Sequence, residues 1–310
     1  MAANVETMFY TREKPWHGLG TQVESAPTSK EALRLSGLDW KVEQHPIKTV
    51  NDVVLDGFLA NVRDTDKKIL GVVTNKYKVV QNEEAFAFTD ALLGEGVTYE
   101  TAGSLQEGKK VWLLAKLPQR YIISGDEITP YLVFSNSHDG TAAIKVAMTP
   151  IRVVCNNTLN LALSSAKRCW ATVHAGNLTE RMQDARQTLL YADNYMIELG
   201  KAFERLSKKR VTDRQVLEYI ECLFPDEINL SEVQKRNVAK MKDDLKMRYF
   251  DAPDLKEVGK NGYRFMNAVS DFATHVKPLR ETKNYRENLF GRTIEGNALI
   301  DRAYDMMNAA

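Results

Sequence analysis

"TPIRVVCNNTLNLALSSAKRCW", residues 149–170, is the stretch on which the reading of the fold turns. A β-branched run ends at Cys155-Asn156, and a helix-like run follows at once. A strand-to-helix joint with a cysteine has two readings. Cys155 is a nucleophile activated by a helix start, or the joint is structural and Cys155 is a small buried hydrophobe.

An earlier stretch bears on the choice. "YKVVQN" (77–82) matches "IRVVCN" (151–156) at an offset of 74 residues. Each has a large apolar residue, a base, Val-Val, one variable residue and then Asn, with a helical pattern after it. The match suggests a duplicated unit. Both asparagines are then placed to cap a helix. Lys78 and Arg152 take equivalent strand positions, and Cys155 aligns with Gln81, which is no nucleophile. No histidine partner for Cys155 is evident. His138 lies in "SNSHDGT", where Asp139-Gly140 reads as a hairpin turn, and His174 lies beyond the helix. The structural reading is preferred, with a cysteine hydrolase kept as a third possibility.

Working outward, the chain before residue 175 reads as strands with few helices. "DWKVEQHPIKTV" (39–50), "VVLDGFLANVRD" (53–64) and "KILGVVTNKYKVV" (68–80) predict three strands, with "DTDK" turning between the second and third. Asn82, Glu83 and Glu84 open a helix that runs to Gly94. "GVTYETAG", "KKVWLLAKLP", "YLVFSNS" and "AAIKVAMTPIRVVC" predict further strands, and "NTLNLALSSAKRCW" a closing helix. Thr28 and Glu31 form a capping box for a short early helix that Gly37 stops. Beyond 175 the periodicity is helical. Met182, Ala185, Leu189, Met196, Leu199 and Phe203 recur at helix spacing, and Ser231 with Gln234 forms a second capping box. "NGYRFMNAVSDFATHV" and "EGNALIDRAYDMM" complete the set.

The expected fold is therefore α+β: a mostly antiparallel, duplicated β-β-β-α core with a helical C-terminal region. The expected domains are an N-terminal arm (1–24), the core (25–175) and the helical region (176–310). Trp16 and His17, in "KPWHGLG", are read as anchoring the arm onto the body or onto a neighbouring subunit.

Composition narrows function. The 310 residues are 44% hydrophobic and 27% charged, with a net charge of +1. That is a globular composition, with no whole-chain field toward nucleic acid or membrane. Three cysteines argue for a reducing compartment without a disulfide framework. No run approaches a membrane span, and the start lacks a signal-peptide pattern. The expected location is the cytoplasm. Five scattered histidines, with neither Cys-x-x-Cys nor His-Glu-x-x-His, give no metal site. No cofactor motif is present either.

One local feature stands out. Thr141 to Thr179, 39 residues, contains no Asp or Glu, where the chain average predicts about five. Four bases remain: Lys145, Arg152, Lys167 and Arg168. A polyanion needs bases without competing carboxylates, and an aromatic ring can stack an unpaired base. Burial alone also excludes carboxylates, and the two readings stand side by side. Lys109 and Lys110, near Trp112, extend a basic stripe.

"KPWHGLGTQV", "YKVVQNEEAF" and "RVVCNNTLNLAL", with "GYRFMNAVSDFATHV" and "GNALIDRAYDMM" near the end, resemble the phage/plasmid-like family built on domain of unknown function 932. The resemblance implies a phage, prophage or plasmid origin, hence a bacterial host cell, and brings no accepted activity. The strand-strand-strand-helix order is also similar to phage single-strand annealing proteins of the Redβ and Erf kind. That likeness implies rings or filaments that hold DNA in a basic groove.

The expectation is a non-enzymatic, oligomeric protein of a mobile element that binds and anneals single-stranded DNA during recombination. Its contacts are Lys78, Lys109, Lys110, Lys145, Arg152, Lys167 and Arg168 for phosphate, with Trp112 and Trp170 stacking. The alternative is a phage protein that binds and modulates a host or defence protein.

Overall fold

The computed structural model describes residues 5–11, 21–25, 27–93, 98–117, 120–152, 157–158, 169–226, 230–276 and 296–309. The chain divides into two compact units. Residues 1–118, 131–148 and 168–191 form the first, and residues 119–130, 149–167 and 192–310 form the second.

The first sheet follows its turn chemistry. β3 (Val42–Lys48), β4 (Val54–Arg63) and β5 (Ile69–Thr74) form a three-stranded antiparallel meander. Lys67, at φ 56°, closes the "DTDK" turn. The helix α1 (Ser29–Leu35) carries the expected Thr28–Glu31 box and ends at Gly37 with φ 63°. The helix α2 (Asn82–Leu93) follows the meander.

The second sheet has nine strands among the described residues. Its elements are β1 (Val5–Tyr10), β2 (Thr21–Gln22), β6 (Thr98–Leu105), β7 (Lys110–Lys116), β8 (Tyr121–Ile123), β9 (Asp126–Ser137), β10 (Ile144–Arg152), β11 (Asn157–Thr158) and β12 (Cys169–Thr172). The central order is β11-β10-β9-β7-β6-β1-β2, with β12 on β10 and β8 on β9. All described pairings are antiparallel except β1 with β2.

Three differences from the sequence reading have physical causes. The arm is not separate, because β1 pairs with β6. There Gly103 is required: a Cβ on it would lie 2.4 Å from the Thr7 carbonyl oxygen. Arg63 adds a bidentate pair with Glu6 at 2.8 Å and a second pair with Asp66. Next, both described ends of the helix expected over 157–170 are strand. Cys169–Thr172 pairs with Ile144–Ala147 as a strand, and Asn157–Thr158 pairs with the end of β10. Residues 159–168 lie outside the described residues. Finally, "YKVV" is not a strand. It is irregular chain leading into α2, so Lys78 and Arg152 are not in equivalent settings.

The core of the first unit fills the space between α1, α2 and one face of the second sheet. Phe9, Trp40, Leu70, Phe86, Tyr99, Leu113, Phe134 and Val146 are its members.

The second unit is mainly helical: α3 (Leu178–Lys208, from Ala192 onward), α4 (Asp213–Leu223), α5 (Glu232–Phe250), α6 (Gly262–His275) and α7 (Ala298–Ala309). The Ser231–Gln234 box opens α5, and a Thr212–Gln215 box of the same kind opens α4. The helix α6 is its hub. Arg264 is 8% exposed and donates to the carbonyls of Tyr249, Phe250, Leu255 and Val258. It thereby caps the end of α5 and the turn beyond it. No described helix is long and apolar enough to cross a membrane.

Candidate nucleic-acid interface

The hairpin between β9 and β10 organises the site. Asp139 and Gly140 form its turn, as the sequence predicts, with Gly140 at φ 74°. Asp139 Oδ1 accepts from Ser137 Oγ, Thr141 Oγ1 and the Thr141 amide. Burial would raise the Asp139 pKa, but these hydrogen bonds outweigh it and hold the carboxyl below its usual range.

Beneath the turn lies a buried polar network within the first unit. His138 is fully buried, its amide donates to the Lys109 carbonyl, and its own carbonyl accepts from Asn61 Nδ2 at 2.7 Å. Its Nε2 faces Asn82 Oδ1 at 3.0 Å. Asn82 Nδ2 donates to the Leu38 carbonyl, so Oδ1 must accept and His138 carries its proton on Nε2. Nδ1 is then a bare lone pair, with no hydrogen-bond partner among the described residues. Burial pushes the His138 pKa down to about 3 and keeps the ring neutral. Trp40 meets the ring edge-on at 5.3 Å.

This corrects the reading of Asn82 as a helix cap. Its side chain ties α2 to the chain before β3 and to the hairpin, while Gln81 and Glu84 close the first turn through a 2.7 Å hydrogen bond. Asn82→Ala is expected to cost roughly 2 kcal/mol or more, because the Leu38 carbonyl and the His138 N–H lose their partner. Urea unfolding measures it. A loss near 1 kcal/mol would return Asn82 to the rank of an ordinary cap. Asn156 lies outside the described residues.

His174 forms a second node. Its Nδ1 lies 3.0 Å from the Lys78 carbonyl, which can only accept, so Nδ1 carries the proton, and Nε2 has no partner among the described residues. The Lys78 amide donates back to the His174 carbonyl at 2.8 Å. Tyr77 stacks on the imidazole at 4.4 Å, and its hydroxyl donates to the Ser137 carbonyl. Burial lowers the His174 pKa and raises that of Tyr77. Around this stack a cleft of about 330 Å³ is lined by Thr74, Lys76, Tyr77, Thr141 and His174, among others.

The expected contacts are spread over several settings. Lys78 is exposed on the loop beside His174; Lys109 and Lys110 are half-buried, the first bonded to His138 and the second opposite Ser137. Lys145 is half-buried on β10, opposite Ala171. Trp112 is 7% exposed and its ring lies over Gly103; Trp170 packs partly against the core of the first unit. Arg152 ends β10 opposite Asn157. Lys167, Arg168 and Cys155 lie outside the described residues, as do Trp16 and His17. The described part of the carboxylate-free segment is largely buried from Ile144 to Pro150.

Lys76 escaped the sequence reading. It lies between strand and irregular chain, with no periodic pattern to mark it. Lys76, Lys78, Lys109 and Lys110 all lie near Tyr77, Ser137 and His138, and none has a carboxylate within ion-pair distance among the described residues. Neighbouring bases do: Lys68 pairs with Glu107, and Lys67 with Glu43. Among the described residues no cluster of three or more His, Cys, Asp or Glu is placed to hold a metal ion.

No curated protein and no solved structure matches the chain. The model of one family, described as domain of unknown function (DUF932), matches residues 69–291. That span takes in the β5–α2 junction, the hairpin with both histidine nodes and the Arg264 hub, and the chain belongs to the DUF932 family.

Proposed function

We propose that the protein is a non-enzymatic nucleic-acid-binding protein that holds a single strand by its phosphates, as an annealing protein of a mobile element does. The observation that carries this reading is the group of four lysines around the β9–β10 hairpin without ion-pair partners among the described residues. Cations that no carboxylate holds in an ion pair release counterions on meeting a polyanion; Lys76 and Lys78 are the clearest case, since Lys110 acts on Asp139 and Lys109 on Glu107. Lys76 and Lys78 are exposed on either side of the inward-facing Tyr77, and Lys76 lines the cleft. The buried network beneath holds both loops in place through backbone, amide and imidazole groups.

The test is binding of a labelled single-stranded oligonucleotide across a salt series. Each phosphate contact contributes roughly 0.7 to the log–log salt slope on a single strand. Replacing Lys76 and Lys78 by Gln is expected to lower the slope by roughly 1.4 and to weaken all sequences alike. No binding at low salt would sink the reading. Binding untouched by the double substitution would move the contact away from this hairpin.

A further inference from the structure

The meander β3–β5 presents an apolar face to solvent. Phe58 is 43% exposed, Ile69 61% and Val72 57%. Register places Ile69 beside Val62 and Glu43, and Val72 beside Ala60 and His45. The patch is rimmed by Glu43 and Lys67, which pair with each other. A face of this kind marks an interaction surface.

The two edges of the meander differ. The edge strand β3 carries Pro46, Lys48, His45 and Glu43, which block pairing with another strand. The edge strand β5, "ILGVVT", has no charge and no proline. The Asn75 amide bonds to the Gly57 carbonyl, and this alternation turns the backbone of Val72 and Thr74 away from β4. Among the described residues no backbone hydrogen bond from outside the meander reaches Val72. The Thr74 carbonyl is taken by the Tyr77 amide, which ends the free edge at that point.

We propose that the occupant of this edge and face is a second copy of the chain, joined by antiparallel pairing of β5 with β5 of the partner about a two-fold axis at Val72. The strand is self-complementary in that register: Val72 meets Val72 of the partner subunit, and the Thr74 amide meets the carbonyl of the partner's Leu70. Two uncharged strands with an internally neutralised rim meet without repulsion, and a net charge of +1 per copy adds little. The pairing makes one six-stranded sheet whose apolar faces are continuous. The pairing edge adjoins the lysine-bordered cleft at Thr74, but sedimentation without nucleic acid reads the dimer by itself, so its failure and the failure of nucleic-acid binding are distinguishable.

The experiment is analytical ultracentrifugation of the full chain over a concentration series. The expected result is a species of twice 35.1 kDa. Val72→Lys is expected to weaken the dimer at least tenfold with circular dichroism unchanged, because the side chain is already exposed. Leu217→Lys, exposed on α4, is the control and should leave the dimer intact. Val72→Cys is expected to form an intermolecular disulfide on mild oxidation where the wild type does not, since paired Cα atoms about 5.5 Å apart suit the bond. A monomer at every concentration would overturn the proposal and leave the face to a protein of other sequence. A dimer indifferent to Val72→Lys would overturn it equally.

Discussion

Arg264→Met is expected to destabilise the second unit by roughly 4 kcal/mol or more. The guanidinium bonds four carbonyls at once, from Tyr249, Phe250, Leu255 and Val258, at distances from 2.7 to 3.4 Å. It also lies 5.1 Å from the Tyr249 ring. Each carbonyl left unpaired in a buried place costs on the order of 1–3 kcal/mol. Methionine fills much of the space, so the loss reports hydrogen bonds more than cavity. Arg264→Lys should fall between, because an ammonium cannot reproduce the fork. Urea unfolding followed by helical circular dichroism measures both. A loss under 1 kcal/mol for Arg264→Met would mean that α5 and the turn after it are held by packing alone.

Acid is the second strong perturbation, and it acts on the first unit. His138 is neutral and buried, with its pKa pushed down to about 3 from an ordinary 6.5. In this window the unfolded chain binds a proton that the folded chain refuses. Stability from this group is fully present above pH 6.5 and is lost as pH falls from 6.5 toward 3. The slope is about 1.4 kcal/mol per pH unit, so about 3 kcal/mol is lost by pH 4.5. His174 is lowered by burial too and acts in the same direction. Asp66 and Asp139 are lowered carboxylates, and their stability is lost only as pH falls below about 4. The interval from pH 6.5 to 4.5 therefore belongs to the histidines. Tryptophan emission follows the right unit, since Trp40, Trp112 and Trp170 all lie in it. Urea midpoints at pH 7, 5.5 and 4.5 should fall steadily for the wild type. His138→Gln, which cannot titrate, should flatten the dependence by about 1.4 kcal/mol per pH unit. A wild type equally stable at pH 7 and 4.5 would refute a neutral buried imidazole.

The two perturbations bear on function differently. Acid removes the platform on which Lys78 and Lys109 are held, because His174 and His138 bond their backbones. Loss of nucleic-acid binding between pH 6.5 and 4.5 should therefore track the loss of folded first unit. The Arg264 variant should leave the lysine hairpin intact, as its contacts all lie in the second unit.

What the sequence by itself determined was local. The capping boxes at Thr28 and Ser231, the Gly37 stop, the Asp139-Gly140 turn and the three strands of the meander each depend on residues a few positions apart, and each is found near its expected place, the third strand ending at Thr74. The α+β class, the mostly antiparallel pairing and the helical C-terminal region follow from the same short-range periodicities, and the family follows from motif order. The tertiary structure alone decided the rest, because the partners are distant along the chain. Asn82 looks like a cap until Leu38 and His138, 44 and 56 residues away, claim its amide. The segment 5–10 looks like an arm until Gly103 lets it reach β6. Trp112 looks like a stacking residue until the sheet buries it against Gly103. Lys76 carries no pattern at all, and becomes a candidate only when folding leaves it beside Lys78 with no carboxylate in reach among the described residues. Periodicity records which face of an element is apolar; which polar groups meet across that face is set by the packing of elements far apart in sequence.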